Sequence, residues 1–307
     1  MRFTITEKHD GVLLRSFLKG TCGVSSRLLT RLKQTPGSIR VNGEPVTVRR
    51  VLRTGDVLAI AAEDTVSQDV FRPEAVPVDI LYEDGEVLLI NKPPFMPTHP
   101  SKGHDGDTLA NALTHLFAER GEPFVFRPVN RLDRNTSGVI MIAKSQWAAS
   151  VLGRSLKAHR FCKTYLAVTD GLLPAEEGRM DGWIRRKTPG KPLRELCAED
   201  APGAESVRTA YTVLEKDPDA GHALVLLRPE TGRTHQLRVQ LSASGCPITG
   251  DGMYGTESEW IARQALHAWK LEWPHPVTGE TVTTTAPVPA DLLSLTERLF
   301  PSARSGF

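Results

Sequence analysis

An α+β chain is the expected fold class, and three observations are compatible with it. Strand-like runs and capped amphipathic helices are mixed along the sequence. The turn signals Asn42-Gly43 and Glu83-Asp84-Gly85 favour hairpins, and so antiparallel neighbours. The chain has 307 residues, 40% of them hydrophobic, enough for a full core and more than one domain.

In order, VLLRSFL (12–18) and SSRLLTRLK (25–33) have helical spacing, and Ser25 or Ser26 can cap the second. Leu28, Leu29 and Leu32 face a core, while Arg27 and Arg31 lie four apart on a neighbouring face. SIRVNGEPVTV and RTGDVLAI supply short strands around turns. Residues 61–77 are polar, acidic and proline-bearing and read as a linker. VDILYEDGEVLLINKP (78–93) reads as a hairpin, and DTLANALTHLFAERG (107–121) as a capped helix closed by Gly121. Ser145 caps a helix over 145–160. FCKTYLAVTDG (161–171) alternates as a strand, with Phe161, Lys163, Tyr165 and Ala167 on one face. THQLRVQLSASG (234–245) and residues 289–300 give two further helices.

Charge is unevenly spread. Residues 1–60 hold 11 of the 38 Lys/Arg and 4 of the 36 Asp/Glu, so the N-terminal fifth is basic and the remainder mildly acidic. That asymmetry points to a polyanionic partner. No apolar run approaches the ~20 residues of a membrane helix. The start, MRFTITEKHD, lacks the apolar stretch of a secretory signal, so a cytoplasmic location is expected. Cys22, Cys162, Cys197 and Cys246 form no CxxC pair, which predicts reduced thiols, and the histidines show no HExxH-type spacing, which predicts no bound metal.

The stretch RPVNRLDRNTSGVIMIAKS (127–145) sets an acid, Asp133, between Arg131 and Arg134. If RLD is extended, Arg131 and Asp133 share a face and Arg134 takes the other. A nearby guanidinium favours the ionised carboxylate, which can act as base or nucleophile. No second acid lies at close spacing, and there is neither a GxSxG elbow nor a phosphate-binding loop. Taken alone, such a run is more often a surface ion pair.

Its company changes that. NRLDRNTSG (130–138) resembles the signature of the RluA-type pseudouridine synthases. INKPPFMPTHP (90–100), KTYLAVTDG (163–171), RPETGRTHQLRVQLSASGCPITGDGMYG (228–255) and LHAWKLEWPHPVTGE (266–280) resemble its other motifs, in the family's order. The resemblance implies a mixed, largely antiparallel sheet flanked by helices. It also implies isomerisation of uridine in RNA to pseudouridine, without metal, nucleotide cofactor or energy donor. Asp133 then corresponds to the catalytic aspartate and Tyr165 to the active-site tyrosine. Arg233 corresponds to the arginine paired with that aspartate, and Arg131 to the one that helps displace the target base. His235, Gln236 and His99 are read as capping or packing residues, and the turn GDGMYG (250–255) as shaping a loop near the pocket. Two positions depart from the usual motif: Asn130 stands for a histidine, and Phe95 for a glycine, where a positive φ would strain it.

Residues 1–62 resemble the S-four-like RNA-binding module, through SSR (25–27), IRVNG (39–43) and TGDVLAI (54–60). Arg27, Arg31, Arg49 and Arg50 are its expected RNA contacts, alongside Arg131 and Arg134. The expected organisation is this module, a linker over 63–77, a catalytic domain over 78–300 and a tail over 301–307, acting as a monomer. Large-subunit ribosomal RNA is the first expectation for the substrate, and transfer RNA the alternative. A catalytically silent RNA-binding or ribosome-assembly relative, and a hydrolase using Asp133, are the competing functions.

Overall fold

The computed structural model describes residues 2–60, 71–100, 103 and 105–301. Most of the expected linker and of the tail lie outside them.

The N-terminal unit comprises β1 (Arg2–Thr4), α1 (Leu14–Gly20), α2 (Ser26–Gln34), β2 (Ile39–Val41), β3 (Glu44–Pro45) and β4 (Val57–Ile60). Its sheet has the order β1-β4-β2-β3. Ser25 caps α2, its Oγ accepting from Leu28 N at 3.1 Å, and Leu28, Leu29 and Leu32 are buried. Asn42 and Gly43 turn the β2–β3 hairpin with φ of 54° and 86°, the left-handed pair such a tight turn demands.

The larger body comprises β5 (Asp79–Glu83), β6 (Val87–Lys92), α3 (Leu109–Glu119), β7 (Ser137–Ala143), α4 (Gln146–Lys157), β8 (Cys162–Asp170), β9 (Glu177–Arg186), β10 (Arg194–Cys197), β11 (Glu205–Asp217), β12 (His222–Pro229), α5 (Gln236–Ala243), β13 (Leu266–Pro274), β14 (Thr281–Thr285) and α6 (Ala290–Leu299). The strands form one sheet in the order β10-β9-β11-β12-β8-β13-β7-β6-β5, with β14 beside β13. Caps make the helix starts legible: Thr108 and Asn111 form a reciprocal capping box on α3, and Ser145 caps α4. The fold is thus α+β with a largely antiparallel sheet, as expected.

Among the described strands, β7 and β13 form the parallel pair, joined through His267–Ser137 and Ala268–Gly138. Gly138, at φ 110°, permits this crossing, since a Cβ there would stand 2.2 Å from Ala268 O. The 130–136 loop leads directly into β7 at this crossing. The motif strand β8 flanks β13 on its other side.

The N-terminal unit is not merely tethered. One apolar cluster runs from Ile5, Phe17, Leu28 and Leu52 into Val87, Met141, Trp147 and Trp273 of the larger body. Trp147, 1% exposed, stacks edge-on against Phe3, and its Nε1 donates to Cys22 O at 2.5 Å.

Candidate active site

A cavity of about 460 Å³ opens at the sheet's crossing, lined among others by Arg131, Asp133, Tyr165, Arg233, His235 and Arg238. The loop carrying Asp133 is held by its carbonyls. Leu132 O accepts from Thr98 Oγ1 at 3.1 Å, Arg134 O from Lys92 Nζ at 3.1 Å, and Asn135 O from Arg263 Nη1 at 3.1 Å. Lys92 and Arg263 are themselves almost wholly buried. Leu132 is packed in the core beneath, and Thr136 N closes a turn on Asp133 O at 3.1 Å. With the backbone fixed on both sides, the Asp133 side chain projects into the cavity. Asn130 braces the loop's base: its Oδ1 accepts from Met141 N at 2.8 Å.

The aspartate's partner is Arg238, which corrects the expectation for Arg233. Arg238 Nη1 lies 3.2 Å from Asp133 Oδ2. Arg233 Nη1 instead lies 3.2 Å from Glu205 Oε1, with 42% of its side chain exposed. The reason is local. Arg233 sits in the loop before α5, whereas Arg238 lies inside that helix, one turn beyond His235, so those two side chains present to one side. His235 has a left-handed backbone, φ 57°, which separates the loop from the helix.

Asp251 locks Arg238, accepting from Nε at 2.6 Å and from Nη2 at 2.7 Å. The GDGMYG turn therefore delivers a buried carboxylate to the site as well as shaping it. Burial works against the charge of Arg238, but the bonds and charge of Asp251, and then of Asp133, outweigh it and hold the guanidinium protonated. Its guanidinium carbon also lies 5.0 Å from the Tyr254 ring centroid.

His235 is a site residue the sequence reading set aside. Its Nε2 is 3.8 Å from Asp133 Oδ2, and its Nδ1 is 2.8 Å from Tyr254 Oη. Burial pushes its pKa down, against the pull of Asp133, so the ring is held neutral. Tyr254 Oη already accepts from Arg194 N at 2.8 Å. Its own proton is available to Nδ1, which assigns the ring proton to Nε2, facing Asp133.

Tyr165 lies half-buried between two core clusters and lines the cavity. Burial first, and the nearby Asp133 charge second, raise its pKa, so the phenol stays protonated. Lys163, one residue pair away on the same strand face, also lines the cavity, and its Nζ donates to Thr231 O at 3.2 Å. Arg131 is exposed on the Asp133 side of its loop, and Arg134 turns the other way, its Nε 3.3 Å from Phe95 O. Among the N-terminal arginines, Arg27, Arg49 and Arg50 are exposed and Arg31 half-buried, and none lines this cavity. Arg49, with Arg15 and Lys33, lines a separate cavity of about 630 Å³ in the N-terminal unit.

Comparison with known proteins gives this arrangement its class. A family model described as RNA pseudouridylate synthase matches residues 86–243, the span that contains Asp133, Tyr165, His235 and Arg238. The RNA pseudouridine synthase YjbO of Bacillus subtilis (strain 168) is 38% identical over 90% of this chain and 95% of its own. A protein of Vibrio parahaemolyticus named ribosomal large subunit pseudouridine synthase D is 34% identical over 88% of this chain and 86% of its own. Among solved structures, human RNA Pseudouridylate Synthase Domain Containing 1 matches with a TM-score of 0.56 and 31% identity, covering 70% of this chain and 84% of that one. The protein is therefore an RNA-modifying isomerase that converts uridine to pseudouridine. It belongs to the RluA-type RNA pseudouridine synthase family.

Proposed function

We propose that this enzyme isomerises specific uridines of large-subunit ribosomal RNA, with Asp133 as the catalytic carboxylate. The observation that carries the assignment is the Asp133–Arg238–Asp251 chain, which aims one carboxylate into the cavity from a loop pinned at three carbonyls. The ribosomal substrate is supported by the names of several relatives.

The reaction conserves atoms. The C1′–N1 bond of the uridine breaks, the uracil turns, and a C1′–C5 bond forms, while C5 loses a proton and N1 gains one. Asp133 acts as the nucleophile or base at the breaking bond. Arg238 keeps it oriented, and neutral His235 offers Nε2–H beside it. The protonated Tyr165 presents a ring for stacking on the uracil and a hydroxyl for hydrogen bonding. Arg131, exposed at the mouth, fills the space left when the uridine is turned out of the RNA. The S-four-like unit, through Arg27, Arg31, Arg49 and Arg50, adds phosphate affinity that orients the RNA. In this reading the enzyme works as a monomer in the cytoplasm. Among the described residues no helix is long and apolar enough to cross a membrane.

The test is site-by-site pseudouridine mapping of total RNA from cells with and without the gene. Loss at one or a few large-subunit uridines, restored by the wild-type gene and not by Asp133→Ala, is the expected result. Loss confined to transfer RNA would overturn the ribosomal assignment, and rescue by Asp133→Ala the catalytic one.

A further inference from the structure

The Pro94-Phe95 turn is built against its own sequence. Phe95 has φ 64°, a left-handed conformation that suits glycine and strains a bulky aromatic side chain. The residues that follow, Met96, Pro97 and Thr98, are buried, yet Phe95 is 46% exposed. Neither backbone preference nor burial accounts for an aromatic residue there.

The turn is rigid and coupled to the catalytic loop. Lys92, 0% exposed, donates through Nζ to Pro93 O at 2.8 Å and Met96 O at 2.9 Å, on both sides of Phe95. Its third bond goes to Arg134 O, the residue after Asp133. Arg134 in turn donates from Nε to Phe95 O at 3.3 Å. Phe95 is thus tied through its backbone to the loop that carries the aspartate while the residue stays half-exposed. Arg134 and Arg131, both exposed, place positive charge on the same loop system. An aromatic side chain left half-exposed on a fixed turn, with the Arg134 guanidinium against its backbone carbonyl, suits stacking on an unpaired nucleobase whose phosphate is held nearby.

We propose that Phe95 is a positioning residue that stacks on an unpaired base of the RNA next to the target uridine, with Arg134 at the adjoining phosphate. The inference rests on the RNA pseudouridine synthase reading. It adds a contact outside the cavity that receives the uracil.

The test compares Phe95→Gly, Phe95→Leu and Phe95→Trp in the full-length enzyme. Three quantities are measured: thermal stability, Kd for a fluorescently labelled single-stranded RNA, and kcat and KM on a transcribed large-subunit RNA fragment. Phe95→Gly is expected to raise Tm by about 2 °C, because the left-handed strain is relieved. It should also weaken RNA binding and raise KM by about ten-fold, with kcat within two-fold. Phe95→Leu should weaken binding similarly, since it keeps the apolar bulk but lacks a ring face, and Phe95→Trp should bind as wild type. Unchanged Kd and KM in Phe95→Gly, or a Phe95→Leu variant equal to wild type, would overturn the proposal. If the wild type forms no pseudouridine on the ribosomal fragment, the ribosomal assignment fails, while the Kd series still decides the role of Phe95.

Discussion

Arg238 reaches Asp133 through a single nitrogen, Nη1 at 3.2 Å, because its Nε and Nη2 are committed to both carboxylate oxygens of Asp251. The guanidinium is therefore a fixed bracket. Its fork is held by a carboxylate 1% exposed, and its free corner meets a carboxylate 26% exposed and facing the cavity.

Arg238→Lys should break this bracket, since an ammonium cannot bind Asp251 with two parallel bonds and still reach Asp133. We expect kcat to fall by about 100-fold or more with RNA affinity nearly unchanged, and Arg233→Ala to affect KM rather than kcat. Asp251→Ala leaves Arg238 buried without its principal partner and should cost about 3–5 kcal/mol of stability in urea unfolding. Equal kcat losses for Arg233→Ala and Arg238→Lys would refute the pairing.

Asp133→Asn keeps the shape of the loop, whose backbone is held by Thr98, Lys92 and Arg263 and not by the carboxylate. Single-turnover assays should lose at least about 1,000-fold in rate, while filter binding to RNA stays within two-fold. Parallel loss of binding and rate would count against a purely chemical role.

His267 supplies a pH dependence of stability. It is fully buried, 2.9 Å from Ser137 Oγ, and burial pushes its pKa from 6.5 down to about 4. The unfolded chain therefore binds a proton at this residue below about pH 6.5 that the folded chain refuses until about pH 4. Stability should fall across that window as pH drops, by about 3 kcal/mol in total. His267→Asn should flatten the slope of unfolding free energy between pH 6.5 and 4 relative to wild type. A slope identical to wild type would show that His267 takes up its proton alike in the folded and unfolded chain, and would refute the depressed value.

The N-terminal arginines should act through charge. Arg27→Glu, Arg49→Glu and Arg50→Glu are exposed changes that leave the core untouched. Each is expected to weaken RNA binding more at low salt than at high salt, and to lower the slope of log affinity against log salt by about one or more. A slope unaltered in the triple variant would remove these residues from the RNA interface.

Much of this was legible in the sequence because local chemistry specified it. Ser25 or Ser26 and Ser145 marked helix starts and Asn42-Gly43 marked a hairpin, whereas Asp133 and Tyr165, which both line the cavity, were singled out by the family resemblance of the RLD run and the KTY strand. At Phe95 the backbone does take the positive φ that would strain a phenylalanine. The region from 172 to 227 went unassigned for a physical reason. In β9 only Ile184 is fully buried, and apart from Met180 and Trp183 the rest are charged residues and glycines, so apolar alternation never develops. That strand is specified by its neighbour β11, which no local window contains. Arg233 was the expected partner and Arg238, five residues on in the same TGRTHQLRV stretch, was not considered, because only the fold shows which of the two meets Asp133. The spacing of three between His235 and Arg238 on a helix was the available signal, and setting His235 aside hid it.

The apolar cluster that runs through Trp147 makes the N-terminal unit a wall of the enzyme's core. Removing it would strip cover from Trp147, so truncation tests folding before it tests RNA recognition. The same continuity fixes the separation between the basic N-terminal unit and Asp133. With the proposed RNA contacts, the protein would act as a gauge, accepting an RNA for the three-dimensional distance between its phosphates and its uridine as much as for the letters around that uridine.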